Sequence, residues 1–276
     1  MIEVVGPKQT IRSIVESSFL NKYIPAVTVS EKMSPTGLIL KLDTSDHFKF
    51  LRNRTSFEFV FPKDKTSTQD LISVIDYCLE FKRQKNKVYS VHGSACYSGD
   101  KALLFFGPVS GLGKTSLVLE LVINRGYSPI GDEKILIHES GSIVGGCAGL
   151  SADDFVKKIF KDKLKEQSFV EACLKAKDQM PVRATKIVLP IIAPGSSLSV
   201  ERWSPEEASW HLYEEVSRKI RGISRRVAAS SFALPSIDTP ELSQKRIQAV
   251  DNLTQAIPFY VLRGDLETVA KRVVSL

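Results

Sequence analysis

Histidine and cysteine are both scarce in this chain, with four of each in 276 residues. Cys78, Cys96, Cys147 and Cys173 form no C-x-x-C pair and have no histidine cluster beside them. That spacing argues against a zinc site or a disulfide framework, and it predicts reduced thiols in the core. Long apolar runs are missing too. The most extended, IVLPII at 187 to 192, falls far short of the roughly 18 residues a membrane helix needs. The amino terminus, MIEVVGPKQTIRSIVE, has no cationic segment leading into an apolar one, so no secretory leader is expected. There is no internal repeat and no low-complexity tract. These absences predict a cytoplasmic protein with no membrane partner.

Charge of one sign is never concentrated over a whole region. The net charge is +7, but Lys+Arg against Asp+Glu runs 14 to 10 over residues 1–90, 11 to 11 over 91–180 and 13 to 10 over 181–276. Two local basic runs remain. KKIFKDKLKE at 157–166 reads as the solvated face of an amphipathic helix. RKIRGISRR at 218–226 gathers Arg218, Lys219, Arg221, Arg225 and Arg226, a cluster suited to phosphate or an acidic partner. No aromatics are interleaved with it for base stacking, so a nucleic-acid partner is not expected.

What is present is enough for a substantial core. The chain is 43% hydrophobic and 25% charged, and its length fits one or two domains. Residues 24–62 are β-rich, with AVTVSE, GLILKL and SFEFVF separated by turn-prone pieces. They predict a small β-rich amino-terminal module over 1–66. From 67 onward the pattern changes to an α/β domain over 67–276. Ser67-x-x-Asp70 is a capping box ahead of the apolar positions Leu71, Ile72, Ile75, Cys78 and Leu79, predicting a helix that ends near QKNK. VYSVHGSAC and KALLFF read as strands joined by the turn YSGD. A helix over 114–125 closed by Gly126 follows, then a strand pair in SPIGDEKILIHE. Further on, Ser151-x-x-Asp154 opens a helix, RATKIVLPII is a buried strand, and Ser204-Pro205 and Thr239-Pro240 each start a helix. IPFYVLR and residues 266–275 supply a last strand and a last helix. Strands alternating with helices of this length predict an α/β core.

The chemistry is concentrated in LLFFGPVSGLGKTSLVLEL, residues 103–121, which reads strand, glycine loop, helix. A phosphate-binding loop needs backbone N–H groups at a helix start and glycines that let the chain approach the anion. It also needs a lysine for the β- and γ-phosphates and a hydroxyl for magnesium. Ser110, Gly111, Leu112, Gly113, Lys114, Thr115 and Ser116 fit that description. Pro108 stands where the pattern opens with glycine. It has no N–H and a fixed φ, so Gly107 is expected to supply the bend one residue earlier. Asp132 and Glu133 lie 18 and 19 residues beyond Lys114, supplying the carboxylate that a magnesium nucleotide site requires.

VHGSACYSGDKALLFFGPVSGLGKTSLVLELVINRGYSPIGDEKILI, residues 91–137, resembles the catalytic segment of HPr kinase/phosphorylase and its relatives. In that family a histidine opens the stretch, S-G-x-G-K-[ST] follows and tandem acids close it. Phosphoenolpyruvate carboxykinases share the same core. A weaker likeness extends through VERWSPEEASWHLYEE and AIPFYVLRGDLETV. The resemblance implies an ATP- and Mg2+-dependent kinase that transfers the γ-phosphate to a hydroxyl of a small molecule or of a serine in a peptide or protein. It implies that Lys114 and the loop amides hold the phosphates, that Thr115 and Asp132 hold the metal, and that Asp132 or Glu133, with His92 beside them, acts on the acceptor hydroxyl. Where the family pairs two aspartates this chain has Asp132-Glu133, and SGSIVGGCAGLSADD at 140–154 does not match the family's glycine-rich isoleucine signature. Those departures and Pro108 point to the alternative, a non-catalytic nucleotide-sensing or partner-binding protein of the same fold. The acceptor, and whether the protein is a homo-oligomer, have no readable signature.

Overall fold

In the computed structural model, which describes residues 2–25, 38–53, 56–152, 154–163, 166–222, 226–227 and 232–276, the chain is mixed α/β with parallel and antiparallel strands. The amino-terminal elements are β1 (Ile2–Val5), α1 (Lys8–Val15), α2 (Phe19–Tyr23), β2 (Leu38–Thr44), β3 (Lys49–Arg52), β4 (Ser56–Phe61) and α3 (Thr68–Lys85). Their sheet runs β1-β2-β4-β3, parallel except for β3. Leu38, Leu40 and Leu42 of β2 alternate inward. They join Leu71, Ile72, Ile75, Tyr77 and Phe81 of α3 in one hydrophobic cluster. The capping box at Ser67 and Asp70 forms as expected. The expected strand AVTVSE lies outside the described residues.

The remaining elements are β5 (Val88–Val91), β6 (Gly93–Ser98), β7 (Lys101–Phe106), α4 (Lys114–Arg125), β8 (Ser128–Gly131), β9 (Ile135–His138), β10 (Ser142–Gly146), α5 (Asp154–Phe160), α6 (Glu166–Ala176), β11 (Val182–Ile192), β12 (Ser199–Arg202), α7 (Pro205–Arg221), β13 (Arg226–Val227), β14 (Phe232–Ala233), α8 (Pro240–Ala256), β15 (Phe259–Gly264) and α9 (Leu266–Ser275). The larger sheet runs β5-β9-β10-β11-β7-β6-β8. Long β11 pairs with β7 along one edge, and along the other it pairs first with β10 and then with β15, which carries β12.

Alternation along β7 shows why this sheet has helices on both faces. Ala102, Leu104 and Phe106 join the cluster that includes Leu212 and Val216 of α7 and Val250 of α8. Leu103 and Phe105 join the opposite cluster, with Leu117 and Leu121 of α4, Cys173 of α6 and Val269 of α9. A central strand buried on both faces must be apolar at successive positions, and each large side chain so enclosed contributes about 1.5–3 kcal/mol. The four cysteines are buried and free.

Three expectations need correcting. VYSVHGSAC is not one strand: the chain breaks at His92, and β5 and β6 lie at well-separated places in the sheet. Gly93 opens β6 hard against β7, where a Cβ would sit 2.3 Å from the Phe105 carbonyl oxygen. The strands within SPIGDEKILIHE form but do not pair with each other. β8 pairs with β6, while β9 pairs with β5 and β10, because the turn at 132–134 carries the chain across the sheet. The basic run at 157–166 is also not one helix. α5 ends at Phe160 and α6 starts at Glu166, and Lys157, Lys158, Lys161 and Lys163 are exposed. Among the described residues no helix is long and apolar enough to cross a membrane.

Candidate functional site

The loop between β7 and α4 is shaped by two left-handed glycines. Gly111 has φ +83 with open space around it, and Gly113 has φ +91. A Cβ at Gly113 would lie 2.2 Å from Ile192 Cγ1, so both conformation and close approach demand glycine there. Gly107 is not left-handed, which corrects the expected bend at that position. Its part is spatial: a Cβ would lie 2.6 Å from Leu112 Cδ1. Pro108 is exposed.

The glycines deliver the start of α4 to a pocket of about 130 Å3. Its walls include Ser110, Gly111, Gly113, Lys114, Thr115 and Ser116 from the loop and helix start. Across from them are His92, Asp132, Glu133 and Ser151. Of the predicted loop residues, Leu112 is not part of the wall; its carbonyl accepts from the Ile192 N–H at 3.1 Å. Lys114 is only 6% exposed, and its ammonium donates to the Val109 carbonyl at 2.7 Å. Burial lowers its pKa, opposed by Glu133, Asp132 and Glu215.

Asp132 and Glu133 face the same pocket under different constraints. The Asp132 carboxylate is buried and accepts from the Ser94 hydroxyl, from the Thr115 hydroxyl at 3.0 and 3.2 Å and from the Ser151 N–H at 3.0 Å. Burial raises its pKa, the charge of Glu133 adds to that, and the three donors oppose it. Glu133 has φ +65, and the Lys134 N–H bonds back to the Asp132 carbonyl at 2.8 Å. An i to i+2 bond around a residue of positive φ is a rare and strained turn. The Glu133 side chain stays 39% exposed, with Oε2 3.7 Å from His92 Nε2.

His92 sits at the break between β5 and β6. Burial pushes its pKa down to about 4, helped by the charges of Lys114 and Lys219 and opposed by Glu133 and Glu215. The imidazole beside Glu133 is therefore neutral at neutral pH. Its backbone N–H donates to buried Glu215 of α7 at 2.8 Å. Glu215 also accepts from Arg218 and, at 2.8 Å, from the Lys219 ammonium. Burial works to raise the Glu215 pKa, but Lys219, the His92 N–H and Arg218 hold it below the ordinary carboxylate value.

Arg218 Nη1 lies 3.5 Å from the Pro108 carbonyl oxygen. Of the basic run at 218–226, Arg218 therefore adjoins the glycine loop and Lys219 is tied to Glu215, whereas the side chains of Arg225 and Arg226 lie outside the described residues. The residues missed from sequence are Ser94, Ser151 and Glu215. Ser94 is isolated and carries no spacing signal, Ser151 is signalled only as a helix start, and Glu215 has the look of an ordinary polar position on an amphipathic helix.

Such an arrangement offers backbone donors, a buried ammonium and a paired hydroxyl and carboxylate to a polyanion with a hard cation. Compared with models of protein families and with curated proteins, the chain matches none, so the reading of the site rests on its own residues and geometry.

Proposed function

We propose that the chain is an ATP- and magnesium-dependent kinase, transferring the γ-phosphate to a hydroxyl on a small molecule or on a serine of a peptide or protein. The observation that carries this is the convergence of Lys114, Thr115 and Asp132 on one pocket at the start of α4. On this reading β7, the glycine loop and α4 are a phosphate-binding core of the HPr kinase type. The 110–116 amides and the Lys114 ammonium receive the phosphates, the ammonium leaving the Val109 carbonyl to do so.

The donor set suits magnesium. Among the described residues no cluster of three acidic, histidine or cysteine side chains is placed to hold a metal, but this ion needs only one or two carboxylates beside substrate phosphates and water. The Thr115 hydroxyl and Asp132 carboxylate, 3.0 Å apart, are hard oxygen donors of that kind. When bound, the cation would neutralise phosphate charge. Glu133, half-buried and next to neutral His92, would take the proton of the acceptor hydroxyl. Phosphoryl transfer asks mostly for positioning and charge neutralisation.

The second reading, nucleotide sensing without turnover, is favoured by Pro108, which removes one N–H from the loop. Two measurements separate these readings. ATP with magnesium should raise the melting temperature, by an amount equivalent to about 2.7 kcal/mol at 100 times Kd, and Lys114→Ala should abolish the rise. Absence of any shift rejects both readings. A shift with no ADP release across a panel of amino acids, sugars, polyols and peptides favours the sensor.

A further inference from the structure

A pocket of about 130 Å3 holds a fraction of a nucleotide, since sites for small molecules usually run to about 300–1,000 Å3. A second cleft, of about 680 Å3, shares Ile192 as a wall with it. Both lie along the same two flanking helices. On α4, Ser116 lines the first cavity and Glu120 and Asn124 the second, at intervals of four that share one helix face and span about 12 Å. On α5, Val156 lines the first and Ile159 the second, three residues apart on one face. Together they form a trench that starts at the phosphate pocket and follows α4 toward Arg125.

The chemistry of the trench differs from that of the pocket. Glu120, Asp265 and Glu267 outnumber Arg125 in its walls, so it disfavours a second anion and offers acceptors instead. Asn124 Nδ2 donates to Glu120 Oε2 at 2.7 Å, which fixes the amide and leaves its oxygen to accept. Arg125 Nε is buried with no hydrogen-bond partner, 3.9 Å from Glu120 Oε1. Ile159, Ile192 and Pro194 supply apolar surface for a flat ring. Resting on the nucleotide reading above, we propose that this trench is the nucleoside subsite, taking a ribose and an amino-bearing base, with Glu120, Asn124 and Arg125 as the residues that recognise them.

Titration calorimetry with two probes, magnesium ATP and magnesium tripolyphosphate, tests this on the full chain. The wild type should bind ATP at least tenfold more tightly than tripolyphosphate. Asn124→Trp, which fills the trench, and the milder Asn124→Ala and Glu120→Gln should bring ATP toward the tripolyphosphate value while leaving tripolyphosphate affinity within about twofold, so that the second probe also reports an intact fold. Equal affinity of the wild type for both probes, an undiminished preference for ATP in all three variants, or parallel loss of both probes in the two milder variants overturns the subsite and leaves the phosphate pocket standing. Failure of the wild type to bind either probe overturns both.

Discussion

The glycine loop and the acid turn face each other across one small pocket, and each contains backbone in the left-handed region. In the loop those positions are Gly111 and Gly113, where the conformation costs little. In the acid turn it is taken by a glutamate, at Glu133, and tertiary bonds hold it there. The Asp132 N–H donates to the Cys147 carbonyl at 3.0 Å, and the Cys147 N–H to the Lys134 carbonyl at 2.9 Å. The Lys134 ammonium donates to the Tyr23 carbonyl at 3.1 Å and pairs with Asp76 of α3. A local element carries its conformation in its own residues. A strained turn borrows it from partners far away in the chain, here including the amino-terminal elements.

The sharpest way to break the local side is at Gly113. Gly113→Ala adds a left-handed penalty of about 1–2 kcal/mol to overpacking of about 1–3 kcal/mol against Ile192. A loss of roughly 3 kcal/mol in urea unfolding is expected, together with loss of nucleotide binding. Gly111→Ala meets no neighbour within 4 Å and should cost only the conformational part. Equal losses at the two glycines would show that the contact with Ile192 carries no energy.

On the acid side the contrast lies between the two carboxylates. Asp132→Asn keeps the shape and the hydroxyl partners but removes the charge that Thr115 and the proposed metal share. Turnover should fall roughly 100-fold, equivalent to about 2.7 kcal/mol, with the fold retained. Glu133→Gln removes only the part-exposed carboxylate proposed as proton acceptor and should also lower turnover while leaving magnesium ATP affinity nearly unchanged. Steady-state rates beside binding isotherms check this. Wild-type turnover in both variants would remove the acids from the chemistry.

The same contrast sets what was legible in the sequence. Elements signalled by short-range chemistry are found where expected: α3 behind its capping box, α4 between Gly113 and Gly126, α7 and α8 behind Ser204-Pro205 and Thr239-Pro240, and β7 from its unbroken apolar run. The loop and both acids were legible by residue type and spacing and His92 only through the family resemblance, and apart from Leu112 they share one pocket. Sheet order was not legible, because the turn at Glu133 depends on Cys147, Asp76 and Tyr23. Nor was the placing of Arg218 beside Pro108, which requires α7 to pack across the sheet. Strand β10 was hidden by its glycines, where a Cβ on Gly146 would meet the Ile130 carbonyl oxygen at 2.8 Å.

The smallest expected effect is at Pro108, and it bears most directly on whether the loop works. Pro108 is exposed, its carbonyl faces Arg218, and the left-handed turns lie beyond it at Gly111 and Gly113. Pro108→Gly keeps that carbonyl and restores one N–H at the loop's outer end, away from the amides of 110–116 that begin α4. Affinity for a fluorescent ATP analogue should therefore change by no more than about tenfold, or 1.4 kcal/mol. If proline had instead disabled the loop, the wild type would bind the analogue barely or not at all, and binding would arise only with glycine at 108. The buried Lys114 ammonium argues against that outcome. It is held 2.7 Å from the Val109 carbonyl, inside a loop already curved around a cation, and a phosphate oxygen needs only to replace that single acceptor.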